Sequence, residues 1–199
     1  MVEGVFQGTE MPDAGWWEAL WPDPAAVLRE CELNAGTFAV DLCAGDGWFT
    51  LPMACIARQV VAIDIDDKLL NSARRRLADA GLTNCAFTVT DAYDLAKVVT
   101  APADFLFLAN VFHGVPDQTR LSRLVAQVLA PGGKFAVVNW HQRPREETIV
   151  LGAPRGPRTE LRMTPASVRR AVEPSGLALL RVAELPPYHY GAIFQKARD

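Results

Sequence analysis

The stretch Asp41-Leu42-Cys43-Ala44-Gly45-Asp46-Gly47 stands between a short apolar run, Thr37-Phe-Ala-Val40, and Trp48-Phe-Thr-Leu-Pro-Met-Ala-Cys-Ile-Ala57, which reads as a helix. Strand, glycine turn and helix follow in that order. An acid closing the strand and two glycines at alternate positions let the backbone pass close to a ligand, and the start of the helix offers unpaired N–H groups. A nucleotide-like ligand fits such a place.

Dinucleotide enzymes also put a glycine turn between a first strand and a first helix, but their G-x-G-x-x-G fingerprint ends on a third glycine where helix and strand pack closely. Here Gly47 is followed by Trp48, Phe49 and Thr50, so the pyrophosphate cradle is incomplete. The pattern instead resembles the first motif of the doubly wound α/β S-adenosylmethionine-dependent methyltransferases, of the small bacterial type-11 or type-25 kind. The resemblance extends over residues 37–140. Val60-Val-Ala-Ile63 is a buried-strand run ending at Asp64, and the resemblance implies that Asp64 holds the cofactor ribose and that Ile65 lies against the adenine. Asp67 to Ala80 has a helical pattern stopped by Gly81. Ala86 to Thr90 is a third strand, followed by Asp91 and Ala92, where the family places an acid on the adenine amino group. Asp104 to Ala109 is a fourth strand, and Asn110-Val-Phe-His-Gly114 follows it where cofactor and acceptor meet in the family. Leu129-Ala-Pro-Gly-Gly-Lys134 resembles the family's helix-to-strand turn, and Phe135 to Trp140 is the fifth strand.

The resemblance therefore implies S-adenosylmethionine as cofactor, held by Asp41, Cys43, Ala44, Gly45, Gly47, Asp64, Ile65, Asp91, Ala92 and Asn110. Cys43 departs from the pattern, because the family most often has a glycine there. Its side chain narrows the space near the methionine end, and a negative φ is the condition under which it is tolerated.

The 199 residues, half of them hydrophobic, with a formal charge of −3, suit one globular domain over residues 1–199. No apolar stretch reaches the roughly 20 residues of a membrane span, and the first residues lack a signal-peptide pattern. The four cysteines form no C-x-x-C pair, so reduced thiols and a cytoplasmic location are expected. Residues 1–36 form an N-terminal cap and helix: residues 1–23 hold Trp16, Trp17 and Trp21 among prolines and read as the cap, and Pro24 to Leu33 has a helical pattern. His141 to Met163, rich in arginine and proline, reads as a substrate-side loop. Thr164 to Glu173 has an N-cap and an N1 proline and predicts a helix; Leu177 to Glu184 is a sixth strand. Tyr188 to Gln195 is a seventh strand that a short turn can only return antiparallel. The expectation is a doubly wound, seven-stranded sheet, parallel except for strand 7, with helices on both faces.

In such a sheet the ligand crevice lies at the carboxyl ends of the parallel strands. His113 follows strand 4, His141 follows strand 5, and Tyr188, His189 and Tyr190 open the reversed strand, so all three histidines map to one rim. His113 is the first candidate for a base that removes the acceptor's proton, with His141 and Tyr188 next. The spacings suggest no metal-ligand set. Arg155 and Arg158 read either as part of a solvated charged loop or as a clamp on an anionic acceptor. Trp17 and Trp21 read as a lid over the site or as core. The expected function is in-line methyl transfer to a small-molecule acceptor by a monomer or homodimer. The alternatives are RNA, DNA or protein methylation and non-catalytic cofactor binding. Nucleic acid is disfavoured by the acidic net charge and by Asn110-Val-Phe-His, where amino-methylating nucleic-acid enzymes show two prolines and an aromatic.

Overall fold

A computed structural model describes residues 6–12 and 14–198. Strands β1 (Phe38–Leu42), β2 (Gln59–Asp64), β3 (Cys85–Val89), β4 (Ala103–Ala109) and β5 (Leu129–Trp140) pair in parallel. The short strands β6 (Ile149–Val150) and β7 (Ala153–Pro154) form a separate hairpin. Strand β9 (His189–Lys196) runs antiparallel to both β5 and β8 (Leu177–Leu185). The main sheet has the order β3-β2-β1-β4-β5-β9-β8, with β9 its one reversed strand.

Helices cover both faces, and the alternation of side chains along the central strands sorts the core into two layers. Val40, Leu42, Leu106, Leu108, Phe135 and Val137 point to one side, under α6 (Gln118–Val128) and α7 (Pro165–Val172). Ala39, Phe105, Phe107, Ala136 and Val138 point to the other, under α1 (Ala14–Leu20), α2 (Pro24–Glu30) and α3 (Thr50–Ile56). The remaining helices, α4 (Asp67–Asp79) and α5 (Leu95–Val98), follow β2 and β3. The tryptophans of the leader, 8%, 8% and 3% exposed at positions 16, 17 and 21, belong to the second layer, so the expected cap is in large part the helix α1.

Three boundaries differ from the sequence expectation. Strand β1 continues to Leu42, which places Asp41 inside the strand and buries it. Helix α3 begins at Thr50, two residues later than expected, because Gly47 at φ +84° holds the chain in a turn. The turn expected at Leu129 to Lys134 lies within the span of β5: Leu129 pairs with Ala103 and Lys134 with Phe105, and the residues between bulge out around Gly132 at φ +77°.

Candidate functional site

Beyond the carboxyl ends of β1, β2, β3 and β4 lies a cavity of about 930 Å³. Nine of the ten residues expected at the cofactor line it: Asp41, Cys43, Ala44, Gly45, Asp64, Ile65, Asp91, Ala92 and Asn110. The loops that carry them are tied together by backbone groups. The Ala44 N–H donates to the Ile63 carbonyl at 2.9 Å, and the Gly45 N–H donates to the Asp64 carboxylate at 2.8 Å. The second Asp64 oxygen accepts from the Asp66 N–H at 2.9 Å, so this one side chain fixes the turns after β1 and β2 against each other. Asp91 accepts from the Tyr93 N–H at 2.8 Å, which fixes the turn after β3.

Gly47 does not line the cavity. A Cβ there would lie 2.7 Å from Cβ and 2.9 Å from Cα of Ala73, so its role is the close approach of the turn to α4. Gly45, at φ +57°, faces Met11, whose Sδ would be 3.1 Å from an added Cβ. Cys43 has φ +59°. The negative φ on which its tolerance was expected to depend is absent, and the thiol occupies a left-handed position that favours glycine, a conformation costing about 1–2 kcal/mol. Its side chain nevertheless leaves the cavity open, packing against the Val40 and Leu42 layer.

The lining is acidic. Glu10, Asp41, Asp46, Asp64, Asp66 and Asp91 share the described lining with a single cation, Lys68. Burial pushes the Asp41 carboxyl up to about 7, against the opposing hydrogen bond from Thr50 and with a further push from Asp64. Asp64 is raised for the same first reason, burial, and the N–H groups it accepts work the other way. Both amide atoms of Asn110, at φ +60°, and the indole N–H groups of Trp17 and Trp48 are buried, lack a partner among the described residues and belong to side chains lining the cavity.

The expected catalytic residues lie elsewhere. His113 is buried behind the segment 6–12, and its Nε2 is 3.0 Å from the Gly8 carbonyl. A carbonyl only accepts, so Nε2 carries the proton, and burial pushes this imidazole below the ordinary histidine range. His141 bonds Glu184 at 2.9 Å on the outer side of the sheet end. The Tyr188 hydroxyl donates to the Ile149 carbonyl at 3.0 Å, and its ring stacks on Trp140 at 6.0 Å. His189 is wholly buried between Trp21 and Trp140, at 4.4 and 4.1 Å between ring centres. The histidines share one edge of the sheet but face different ways, and neither they nor Tyr188 line the cavity.

The loop 141–163 also lines none of it. Arg155 lies over Trp16, Arg158 pairs with Glu160 at 3.5 Å in solvent, and the loop is held from inside by buried Arg162. That guanidinium donates to the carbonyls of Pro157, Arg143 and Arg155 and to the Thr148 hydroxyl. The strap Phe6 to Pro12, within the segment expected as a cap, forms one wall of the cavity, although none of its residues was among the expected site residues. It has no hydrophobic period, and only the aromatic richness just after it signalled that something covers the site.

Residues 40–137 match a family described as "Methyltransferase domain". The chain is 29% identical over 148 residues to a ubiquinone biosynthesis O-methyltransferase of Xanthomonas axonopodis pv. citri, an alignment covering 69% of this chain and 62% of that protein. It is 26% identical over 119 residues to a demethylmenaquinone methyltransferase of Shouchella clausii, covering 58% and 50%. The fold superimposes on that of a SAM-dependent methyltransferase from Aquifex aeolicus with a TM-score of 0.76 at 23% identity, over 92% and 93% of the two chains. The chain thus spans about three fifths of the Xanthomonas enzyme's length. Its sheet has the doubly wound fold of the class I S-adenosylmethionine-dependent methyltransferases, and its residues 40–137 carry a methyltransferase domain of the type-11 kind. The cofactor of that class fits this cavity: the lining carries carboxylates for a cationic ligand, apolar Ile65 and Leu69 for a flat base, and an unpartnered amide at Asn110.

Proposed function

We propose that this protein transfers a methyl group from S-adenosylmethionine to a hydroxyl oxygen of an uncharged, aromatic small molecule. The observation that carries the reading is the convergence of Asp41, Asp64 and Asp91, from three separate strands, on one cavity together with the turn 43–46. The cofactor supplies a methyl group on positively charged sulfur. Asp64 would hold the ribose, Asp91 the adenine amino group, Ile65 the adenine face, and Asn110 and the backbone of Ala44 and Gly45 the methionine end. The remaining contribution of the protein is alignment and exclusion of water, which an in-line displacement needs most.

The acceptor class rests on the lining and on the relatives. Cations that would clamp an anion, Arg155 and Arg158, stand outside the cavity, whereas Met11, Trp17, Trp48 and Phe49 give it apolar and aromatic walls. Two relatives carry names from quinone biosynthesis, and one of these names specifies transfer to oxygen. The cap proposed over residues 1–36 closes the site through the strap and Trp17; the loop 141–163 acts from behind, by supporting Trp16 and Trp140. Among the described residues no helix is long and apolar enough to cross a membrane. Four unpaired thiols suit a reducing compartment, and we place the protein in the cytoplasm.

Calorimetric titration tests the cofactor assignment. The wild type should bind S-adenosylmethionine, and Asp64→Ala should weaken that binding at least tenfold while leaving the circular dichroism spectrum intact. Equal affinity in the two proteins overturns it.

A further inference from the structure

The cofactor residues account for the part of the cavity at the ends of β1, β2 and β3; its other wall is the strap and α1. The strap is held at three points. Phe6 meets Tyr93 edge-on at 6.0 Å, the Gly8 carbonyl accepts from His113, and Met11 lies over Gly45. Gly114 has no room for a side chain beneath it, since an added Cβ would be 2.2 Å from the Gln7 carbonyl oxygen. On the helix, Trp17 is stacked between Trp16 and Trp21 at 4.9 and 5.4 Å and is 8% exposed, yet its indole N–H has no partner among the described residues.

The carboxylates of the lining divide sharply. Asp41 accepts from Thr50, Asp46 is paired with Arg76 at 2.6 Å, Asp64 accepts from Gly45 and Asp66, Asp66 caps α4, and Asp91 accepts from Tyr93. Glu10 alone makes no hydrogen bond or ion pair among the described residues, and it sits on the strap, exposed, at the mouth of the same cavity. An aromatic hydroxyl resembles tyrosine in titrating near 10, so at neutral pH it reaches the site protonated and needs a base.

We propose that Glu10 is the general base and Trp17 the hydrogen-bond donor of the acceptor subsite, which takes a neutral phenol or catechol. The indole N–H of Trp17 holds an oxygen of the acceptor, and the aromatic wall holds its ring. The reacting hydroxyl gives its proton to the Glu10 carboxylate. The oxygen lone pair forms the new C–O bond as the S–CH3 bond breaks, and that electron pair stays on sulfur. This assignment rests on the reading of the protein as an oxygen methyltransferase.

The test uses 4-methylcatechol as probe. Its affinity is measured by titration into protein saturated with S-adenosylhomocysteine, and its turnover by product release from S-adenosylmethionine. Glu10→Gln should keep both the cofactor and the probe affinities and lose about 100-fold or more in kcat. Trp17→Phe should keep cofactor affinity and weaken the probe about tenfold, as loss of one buried hydrogen bond does. Glu10→Gln with wild-type kcat overturns the base, and Trp17→Phe with wild-type probe affinity overturns the donor. A wild type that binds S-adenosylmethionine but neither binds nor methylates the catechol overturns the whole subsite and leaves the cofactor assignment standing. A wild type that does not bind S-adenosylmethionine overturns the function itself.

Discussion

The hydroxyl of Thr50, in the first turn of α3, donates a 2.6 Å hydrogen bond to the carboxyl of Asp41, buried within β1. This one contact joins the strand and the helix that flank the glycine turn, and it is made to an acid whose ionisation the fold resists.

Burial raises the Asp41 carboxyl from 3.8 to about 7. Because the folded value lies above the unfolded one, the neutral carboxyl favours folding below about pH 4, and that contribution is lost as pH rises through about 7. Asp41→Asn should therefore gain in Tm relative to the wild type as the pH is raised from 4 to 8. Thermal melts across that range check it, and a difference that stays flat or shrinks contradicts the burial argument.

Cys43 at φ +59° predicts a gain on its removal. Cys43→Gly relieves about 1–2 kcal/mol of left-handed strain and gives back about 0.5–1 kcal/mol to the freer unfolded chain. The net should be about 0.5–1 kcal/mol of stability by chemical denaturation, with cofactor affinity equal or tighter. A less stable variant would show that the thiol's packing outweighs the strain.

The two glycines of the turn should fail in different ways. Gly47→Ala forces a Cβ against Ala73 at 2.7 Å and should cost about 2–4 kcal/mol of stability through overpacking and backbone strain. Gly45→Ala meets only the flexible end of Met11, so its larger effect should be on cofactor affinity. Denaturation and titration of both variants separate the two outcomes.

Arg162→Met should loosen the loop 141–163 without touching the cavity. It removes the donor from three carbonyls and one hydroxyl, at a cost of about 3 kcal/mol. Limited trypsin digestion should then cut at Arg145, Arg155 or Arg158 far faster than in the wild type, while cofactor affinity holds.

Much of the cofactor side of the cavity was legible in the chain because each acid there stands in or just after an apolar run, and in a parallel sheet the ends of such runs must meet. Together with the resemblance to the methyltransferase motifs, that placed Asp41, Asp64 and Asp91 at one site with no knowledge of side-chain direction. The acceptor side had no such rule. His113, His141 and His189 were assigned to the correct edge, but which way a side chain leaves a strand end depends on neighbours distant in sequence, such as Gly8 for His113 and Glu184 for His141. The strap lay within the expected cap, but which of its residues face the cavity was not legible, since contacts such as Gln7 against Gly114 leave no periodic trace. Gly45 and Gly47 also look alike in a motif, and only packing against Ala73 separates a glycine of the cavity from a glycine of the core.

The reversed strand β9 bears on how the molecule is made. It is synthesised after β8 yet lies between β8 and β5 in the sheet. Until residues 189–196 leave the ribosome, β8 has no neighbour and the far edge of β5 stays open, a bare template for pairing with other nascent chains. The gap between β5 and β8 closes last, so premature termination within β9 should leave β5 uncovered and β8 unpaired, an aggregation-prone product and not a slightly shortened enzyme.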